Sequence, residues 1–500
     1  MLRKIRIILA SIFYIGLTLL FLDFTGTLHA WIGWMAKIQF LPAVLAANAI
    51  TIAVLLLLTV LFGRVYCSVI CPLGVMQDII SWMRGKLKKK DRFRFGYKSE
   101  RKWIRYGFLV IFIVALVLGV HSLVALLAPY SAYGRIASNL LAPLYQWANN
   151  LGAMIAEKYD SYAFYEKQVW IKSLPTFITA AATFVLLFIL AFKGGRTYCN
   201  TVCPVGTILG FFSRKSVFVP VIDKSKCNGC KLCGRQCKSS CIDMENHKID
   251  YSRCVACMDC IDTCRHGAIT FGNRFSPGVT PQNNASADSH NGTDSGRRAF
   301  ITTAALVGTA VAAQAQGRKR RMPLVKEKKR NDRQTPVVPA GSASLKNFAD
   351  HCTGCQLCVS VCPNNVLRPS TSLLNLMQPE MSYEKGWCRP ECTRCSEVCP
   401  TGAIRPITIE EKSSVQIGHA VVNLDLCVVN TDDADCGNCA RHCPAGAITM
   451  VKKNPDDMLS IRIPSVNEQM CIGCGACENL CPARPVAAIH VEGHLEHKEI

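Results

Sequence analysis

Cysteine sets the chemistry of this chain. There are 29, of which 24 fall into six four-cysteine motifs, four form two Cys-x3-Cys-Pro pairs, and one, Cys241, stands apart. Disulfides staple small secreted domains, whereas a 500-residue chain has no need of them, and steps of two or three residues between cysteines are those of metal ligands. The clearest motif is Cys352-x2-Cys355-x2-Cys358-x3-Cys362-Pro363, repeated as Cys471-x2-Cys474-x2-Cys477-x3-Cys481-Pro482. Three thiolates at successive three-residue steps wrap three corners of a 4Fe-4S cubane, and the fourth reaches a neighbouring cluster. Zinc would require two separated Cys-x2-Cys pairs closing one tetrahedron.

Two variants stretch the first step: Cys388, Cys392, Cys395 and Cys399, and then Cys427, Cys436, Cys439 and Cys443. Behind them Gly402-Ala403-Ile404 and Gly446-Ala447-Ile448-Thr449 read as turns into strands that close a ferredoxin-like half. The four motifs either pair first with second and third with fourth, or nest first with fourth; the ligand set is the same. An earlier module carries Cys227, Cys230, Cys233 and Cys237, then Cys254, Cys257, Cys260 and Cys264. The exchange of fourth ligands assigns Cys227, Cys230 and Cys233 with Cys264 to one cluster, and Cys254, Cys257 and Cys260 with Cys237 to the other. Lys238 and Arg265 stand where proline usually follows, and Cys241 is either a substitute ligand or a buried thiol. Six 4Fe-4S clusters are the expected cofactors, in α+β ferredoxin-like modules.

The two remaining pairs form an internal repeat. Gly63-Arg64-Val65-Tyr66-Cys67-Ser68-Val69-Ile70-Cys71-Pro72-Leu73-Gly74 matches Gly195-Arg196-Thr197-Tyr198-Cys199-Asn200-Thr201-Val202-Cys203-Pro204-Val205-Gly206 at seven of twelve positions. A Cys-x3-Cys step places both sulfurs on one helical face, so Cys67, Cys71, Cys199 and Cys203 either converge on one further metal or iron–sulfur site or remain separate buried thiols. His121 sits inside an apolar run, where a quinone or haem role competes with local satisfaction.

The elements that must position these groups are apolar helices. Half of the residues are hydrophobic, mean hydropathy is +0.20 and the net charge is +22, which excludes a disordered or acidic chain. Uncharged runs at Ile7 to Leu22, Leu41 to Phe62, Tyr106 to Ala128 and Leu174 to Phe192 predict four spans built as duplicated helical hairpins. Residues 64 to 102 hold eleven Lys and Arg against three acids, so this loop and the basic N-terminus are expected in the cytoplasm. The basic residues flank spans and accompany no nucleic-acid motif. The expected domains are a membrane domain over 1–206, a two-cluster module over 207–272, a linker over 273–344 and a four-cluster module over 345–500. Within the linker, Arg297-Arg298-Ala299-Phe300 opens a weakly apolar run that reads as a twin-arginine export segment over 295–316, either inserting as a fifth span or cleaved near Ala313-Gln314-Ala315. That places 207–272 in the cytoplasm and 345–500 outside. A basic patch, Arg318 to Arg330, opposes that orientation.

The spans with repeated Cys-x3-Cys-Pro and the two-cluster module, residues 1 to 272, resemble the NapH-type (MauN-like) membrane quinol dehydrogenases of periplasmic nitrate reduction. The segment from Arg297 onward resembles their exported partner, the NapG-type (MauM-like) ferredoxin, and the whole resembles a fusion of the two. The resemblance implies a bacterial cytoplasmic-membrane protein that takes electrons from the quinol pool and delivers them to a periplasmic reductase or cytochrome. No nucleotide loop, nucleophile with its base, or second catalytic domain accompanies the motifs, which leaves electrons as the only visible substrate and no catalytic side chain to name. The competing classes are a redox sensor, a copper-oxidase maturation factor, and a carrier between a cytoplasmic donor and the quinone pool.

Overall fold

A computed structural model describes residues 1–23, 25–87, 95–160, 165–167, 169–275, 327–456 and 460–500. The twin-arginine segment, its cleavage motif and a fifth span all fall outside these residues.

The N-terminal half is a helical bundle. Helix α1 (Leu2–Leu22) is 21 residues long, about 31 Å at 1.5 Å per residue. The chain then turns through α2 (Thr27–Ile32), α3 (Trp34–Lys37) and α4 (Phe40–Leu45) before α5 (Ala49–Phe62). The second apolar run is therefore not one helix. It breaks at Ala47, whose φ is 50°, and restarts where the Asn48 side chain accepts from the Thr51 N–H. The third run breaks in the same way. Helix α8 (Lys102–Val117) stops before Gly119, whose φ is 70°, and α9 (His121–Leu127) follows. Among the described residues, only α1 and α12 (Leu174–Gly194) are continuous helices long and apolar enough to cross a membrane, against the four spans expected.

One short helix precedes each Cys-Pro exit: α6 (Val65–Val69) leads into α7 (Pro72–Leu87), and α13 (Thr197–Thr201) into α14 (Pro204–Ser213). Proline suits the first helical turn because its missing N–H has no partner there. Between the two halves lie α10 (Pro129–Ile136), a π-helical turn at 137–141, and α11 (Ala142–Lys158). The bundle shows its apolar side chains outward: Ile8, Ile12, Ile15, Val54, Leu57, Val110, Ile178 and Leu186 are all exposed. Rows of exposed aliphatics on long helices form the face that a lipid bilayer covers.

The first module is closed by the antiparallel pair β1 (Phe218–Ile222) and β4 (Ile269–Asn273), with the short pair β2 (Ile242–Asp243) and β3 (Lys248–Ile249) inside it. The second module has three further antiparallel pairs, Leu367–Pro369 with Pro379–Met381, Ile448–Lys452 with Arg462–Val466, and Val415–Val422 with Ile489–Glu499. The strand expected after Ile404 does not form; Arg405 N–H instead bonds the Gly341 carbonyl at 2.9 Å and the chain enters the helix Ile409–Ser414. Residues 327–344, read from sequence as linker, belong to this module's core: Val337 and Val338 are buried and Arg333 pairs with Glu478 at 2.7 Å. The end of the basic patch is thereby neutralised, with Arg330 on Glu380.

The two modules sit at opposite ends of the bundle. At one end Arg3 of α1 pairs with Asp259, Arg105 near the start of α8 donates to the Ser252 carbonyl, and Arg196 N–H after α12 bonds the Lys238 carbonyl, all in the first module. At the other end, the Lys172 ammonium just before α12 donates to the Val359 carbonyl and His121 of α9 meets Asp350, both in the second module. Phe21, near the end of α1, packs on Tyr130 of α10, the helix whose Gly134 lies against the Cys355 carbonyl.

Candidate metal centres

In both modules the third cysteine of a motif rides on a one-turn helix. These helices are Leu232–Gln236, Asp259–Thr263, Leu357–Val361, Arg394–Val398, Asn438–Arg441 and Ala476–Leu480. In four of them the residue just before the helix is left-handed: Lys231 at 57°, Met258 at 61°, Gln356 at 65° and Gly475 at 77°. That kink folds the preceding cysteines back over the helix start and makes a two-residue spacing into a cup.

The cups are lined as fourth-ligand exchange requires. Cys227, Cys230 and Cys233 share a cavity with Cys264, and Cys254, Cys257 and Cys260 share one with Cys237. In the second module Cys388, Cys392 and Cys395 face Cys362; Cys427, Cys436 and Cys439 face Cys481; Cys471, Cys474 and Cys477 face Cys443. Burial pushes the Cys352 and Cys358 thiols up, and nearby Cys355 and Cys399 push the same way, which groups Cys352, Cys355 and Cys358 with Cys399. The motifs thus pair first with second and third with fourth, and the nested alternative is not what the chain adopts. Among the described residues no three His, Cys, Asp or Glu side chains are grouped closely enough to hold a single metal ion. Four sulfurs around an apolar cavity, rather than a closed tetrahedron, fit a multi-iron cluster and not zinc.

Cys241 is buried on the wall of the second cavity, its sulfur 3.5 Å from that of Cys237. The Cys241 thiol beside it, more than the opposing effect of burial, pulls Cys237 down to about 7. Either sulfur can donate this hydrogen bond.

The repeated Cys-x3-Cys pairs come together. Cys67, Cys71, Cys199 and Cys203 are all buried in one core, and their sulfurs lie within electrostatic reach of one another. A pair of crossed arginines joins the halves. Arg64 donates to the Cys199 carbonyl at 3.0 Å and lies 3.7 Å from Cys67 Sγ; Arg196 donates to the Cys67 carbonyl at 2.7 Å and lies 3.9 Å from Cys199 Sγ. The geometry that the two copies share has a steric basis. A Cβ on Gly74 would sit 2.2 Å from the Cys67 carbonyl oxygen, and one on Gly206 2.3 Å from that of Cys199, so each arginine fork needs its glycine. Gln77 Nε2 reaches Cys199 Sγ at 3.3 Å, and the N–H of Gly206, in the first turn of α14, points at Cys203 Sγ at 3.3 Å. Donors aimed at sulfur favour thiolate.

Several residues here went unread in the sequence. Asp78 gathers Arg6, Arg196 and Lys238 at 2.8, 2.8 and 3.3 Å, and Lys238 also pairs with Asp259 at 2.8 Å. Lys238, which stands where a proline was expected, therefore fastens the first module to the bundle. The arginines were visible as invariant positions of the repeat; nothing in the local pattern marked Asp78. His121 is at the bundle's edge, 3.4 Å from Asp350, as a contact to the second module.

Comparison with known proteins follows the same divisions. Residues 45–90 and 176–222, one around each Cys-x3-Cys-Pro pair, match a 4Fe-4S binding domain. Residues 351–403 and 434–484 match a 4Fe-4S dicluster domain, and residues 247–270 another 4Fe-4S binding domain. Uncharacterized protein MJ0749 of Methanocaldococcus jannaschii is 26% identical over 226 residues, 45% of this chain and 71% of the relative. Ferredoxin-type protein NapH of Haemophilus influenzae is 25% identical over 234 residues, 44% of this chain and 67% of the relative. Methylamine utilization ferredoxin-type protein MauN of Methylobacillus flagellatus is 22% identical over 178 residues, 35% of this chain and 48% of the relative. No solved structure matches. With its thiol-lined cavities, the chain is an electron-transfer iron–sulfur protein carrying 4Fe-4S ferredoxin domains and membrane helices.

Proposed function

We propose that the chain is a membrane-embedded polyferredoxin, a NapH-like half fused to a NapG-like half, that takes electrons from menaquinol and passes them to a redox protein outside the cytoplasmic membrane. The observation that carries this reading is a ferredoxin module docked at each end of one apolar bundle. The ligands are Cys227, Cys230, Cys233 and Cys264; Cys254, Cys257, Cys260 and Cys237; Cys352, Cys355, Cys358 and Cys399; Cys388, Cys392, Cys395 and Cys362; Cys427, Cys436, Cys439 and Cys481; and Cys471, Cys474, Cys477 and Cys443. Clusters held there supply one-electron oxidation and reduction.

The chain's own part is to keep the cavities dry, to fix the sulfurs, and to neutralise their charge. The basic end, with Arg3, Lys4, Arg6 and the loop over 64–102, is cytoplasmic under the positive-inside rule, so the module at 345–500 lies outside.

Protein purified anaerobically from membranes is expected to contain about 24 iron atoms in the two modules, four per motif, with equal acid-labile sulfide. A water-soluble menaquinol analogue should bleach its visible absorption. Zinc in place of iron overturns the cluster assignment; full iron with no bleaching overturns quinol as the donor.

A further inference from the structure

Arg64 is completely buried and has no carboxylate partner among the described residues. Its fork is spent on Asn200 Oδ1, the Ser252 and Cys199 carbonyls, and Cys67 Sγ. A buried cation must be compensated by negative charge; among the described residues the ionisable group its fork touches is Cys67 Sγ at 3.7 Å, while Glu100 is spent on Arg105, which shares the Ser252 carbonyl. Arg135 poses the same problem one step further along. It too is completely buried, it donates to the Ala125 carbonyl at 2.6 Å, two of its nitrogens have no hydrogen-bond partner, and the groups whose charge reaches it are Tyr198 and Cys355. Four sulfurs crowded into an apolar interior can all ionise only if more positive charge is brought among them than two arginines supply, since Arg196 is already paired with Asp78. A metal centre satisfies both requirements.

The placement of that centre gives it a role. On one side Arg64 links Cys67 to Ser252, two residues before Cys254. Asn200 Nδ2 donates to the Ser239 carbonyl at 3.1 Å, two residues after Cys237. On the other side Tyr198, adjacent to Cys199, donates to the Leu127 carbonyl at 3.2 Å at the end of α9. A Cβ at Gly354 would touch Ala125 of the same helix at 3.3 Å, and one at Gly134 of α10 would lie 2.4 Å from the Cys355 carbonyl oxygen. Beyond, the Cys388 N–H bonds the Cys474 carbonyl at 3.0 Å. One hydrophobic core holds Cys67, Cys71, Cys199, Cys203, Val255, Cys355 and Cys358 together. By these contacts the sulfur sites adjoin one another in succession: the Cys227 set, the Cys254 set, the four bundle cysteines, and the Cys352, Cys388, Cys471 and Cys427 sets.

We propose that Cys67, Cys71, Cys199 and Cys203 hold a seventh, redox-active iron–sulfur centre that places the two modules in electronic series, making the chain a conduit for electrons from one face of the membrane to the other. The proposal rests on the iron–sulfur reading above and not on quinol as donor. One electron leaves a reduced low-potential carrier at the first module, oxidising it, and the same electron reduces an oxidised carrier at the second; no bond forms and no proton moves. The first module exposes Lys224, Lys231 and Arg265 on the segments that carry the exposed Cys230 and its cavity partner Cys264, a surface suited to an acidic soluble carrier.

The test uses the full chain in quinone-free liposomes, with ferricyanide trapped inside and titanium(III) citrate added outside. Ferricyanide reduction is expected in the wild type and is expected to be lost in C67S and C203S, while both variants keep the module clusters seen by electron paramagnetic resonance in detergent. The two substitutions should remove one and the same resonance. If either variant loses its module clusters, R64M replaces it, with the same resonance expected to shift or vanish. Transfer only after menaquinone is added to the bilayer, unchanged transfer in the variants, or zinc at the four cysteines overturns the conduit while leaving the six-cluster reading intact. Absence of iron from the modules of the wild type overturns both.

Discussion

The sulfur of Cys241 sits 3.5 Å from that of Cys237, too close for both to occupy separate corners of one cluster. A thiol donating to a ligand sulfur stabilises the more negative, reduced state of the centre, because potentials follow hydrogen bonds to sulfur. C241A is therefore expected to keep full iron content and lower the midpoint potential of one cluster. A hydrogen bond is worth about 1 kcal/mol, which is about 40 mV for a one-electron couple by the conversion for thiol couples. C237S should instead lose the cluster or recruit Cys241 in its place. Redox titration followed by electron paramagnetic resonance separates these outcomes; an unchanged potential in C241A would remove Cys241 from the electronic account. At this scale the sequence was most legible. Cysteine spacing alone named the sulfurs that line the two cavities of the first module, because three-residue steps impose a cup whatever surrounds it. Pairing in the second module and the place of Cys241 depend on tertiary packing, which spacing does not encode.

Docking of the modules to the bundle is the work of a few short elements. The Lys238 ammonium bridges Asp78 of α7 and Asp259 of the helix Asp259–Thr263, burying a cation between two carboxylates that also receive Arg6, Arg196 and Arg3. Burial alone would raise Asp78, but Arg196 and Lys238 hold it well below the ordinary carboxylate range. K238M should weaken the attachment of the first module by about 3–5 kcal/mol, the cost of breaking a buried ion pair. Limited proteolysis between α14 and β1 should then accelerate, with both cluster signals retained. At the opposite end G134A forces a Cβ against the Cys355 carbonyl, an overpacking cost of about 1–3 kcal/mol. It is expected to loosen the second module and slow transfer across the bundle without loss of iron; a wild-type rate would show that the contact is incidental. Helix period and apolar run length anticipated where helices occur but not where they stop. Ala47 and Gly119, both left-handed, break two runs that composition alone presents as continuous. The turns are set by the need to bring Gln39 to Tyr66, at 3.0 Å, and Leu127 to Tyr198.

The whole molecule is polar in its construction, with basic residues and the two-cluster module at one end and the four-cluster module at the other. Duplication of the Cys-x3-Cys-Pro hairpin was readable because identity at spaced positions survives divergence. That the two copies face each other through crossed arginines was not, since it is a property of the pseudo-symmetric pair rather than of either copy. If the account holds, the two modules face different compartments. The measurement that tests this most directly is an epitope at each end of full-length protein in the native membrane, one inserted at the exposed Leu373–Leu374 turn and one at exposed Lys248. Antibody binding to intact spheroplasts is expected at Leu373–Leu374, with Lys248 reached only after lysis. Binding at both positions before lysis, or at neither, would place the modules on one side of the membrane and contradict transfer to the outside.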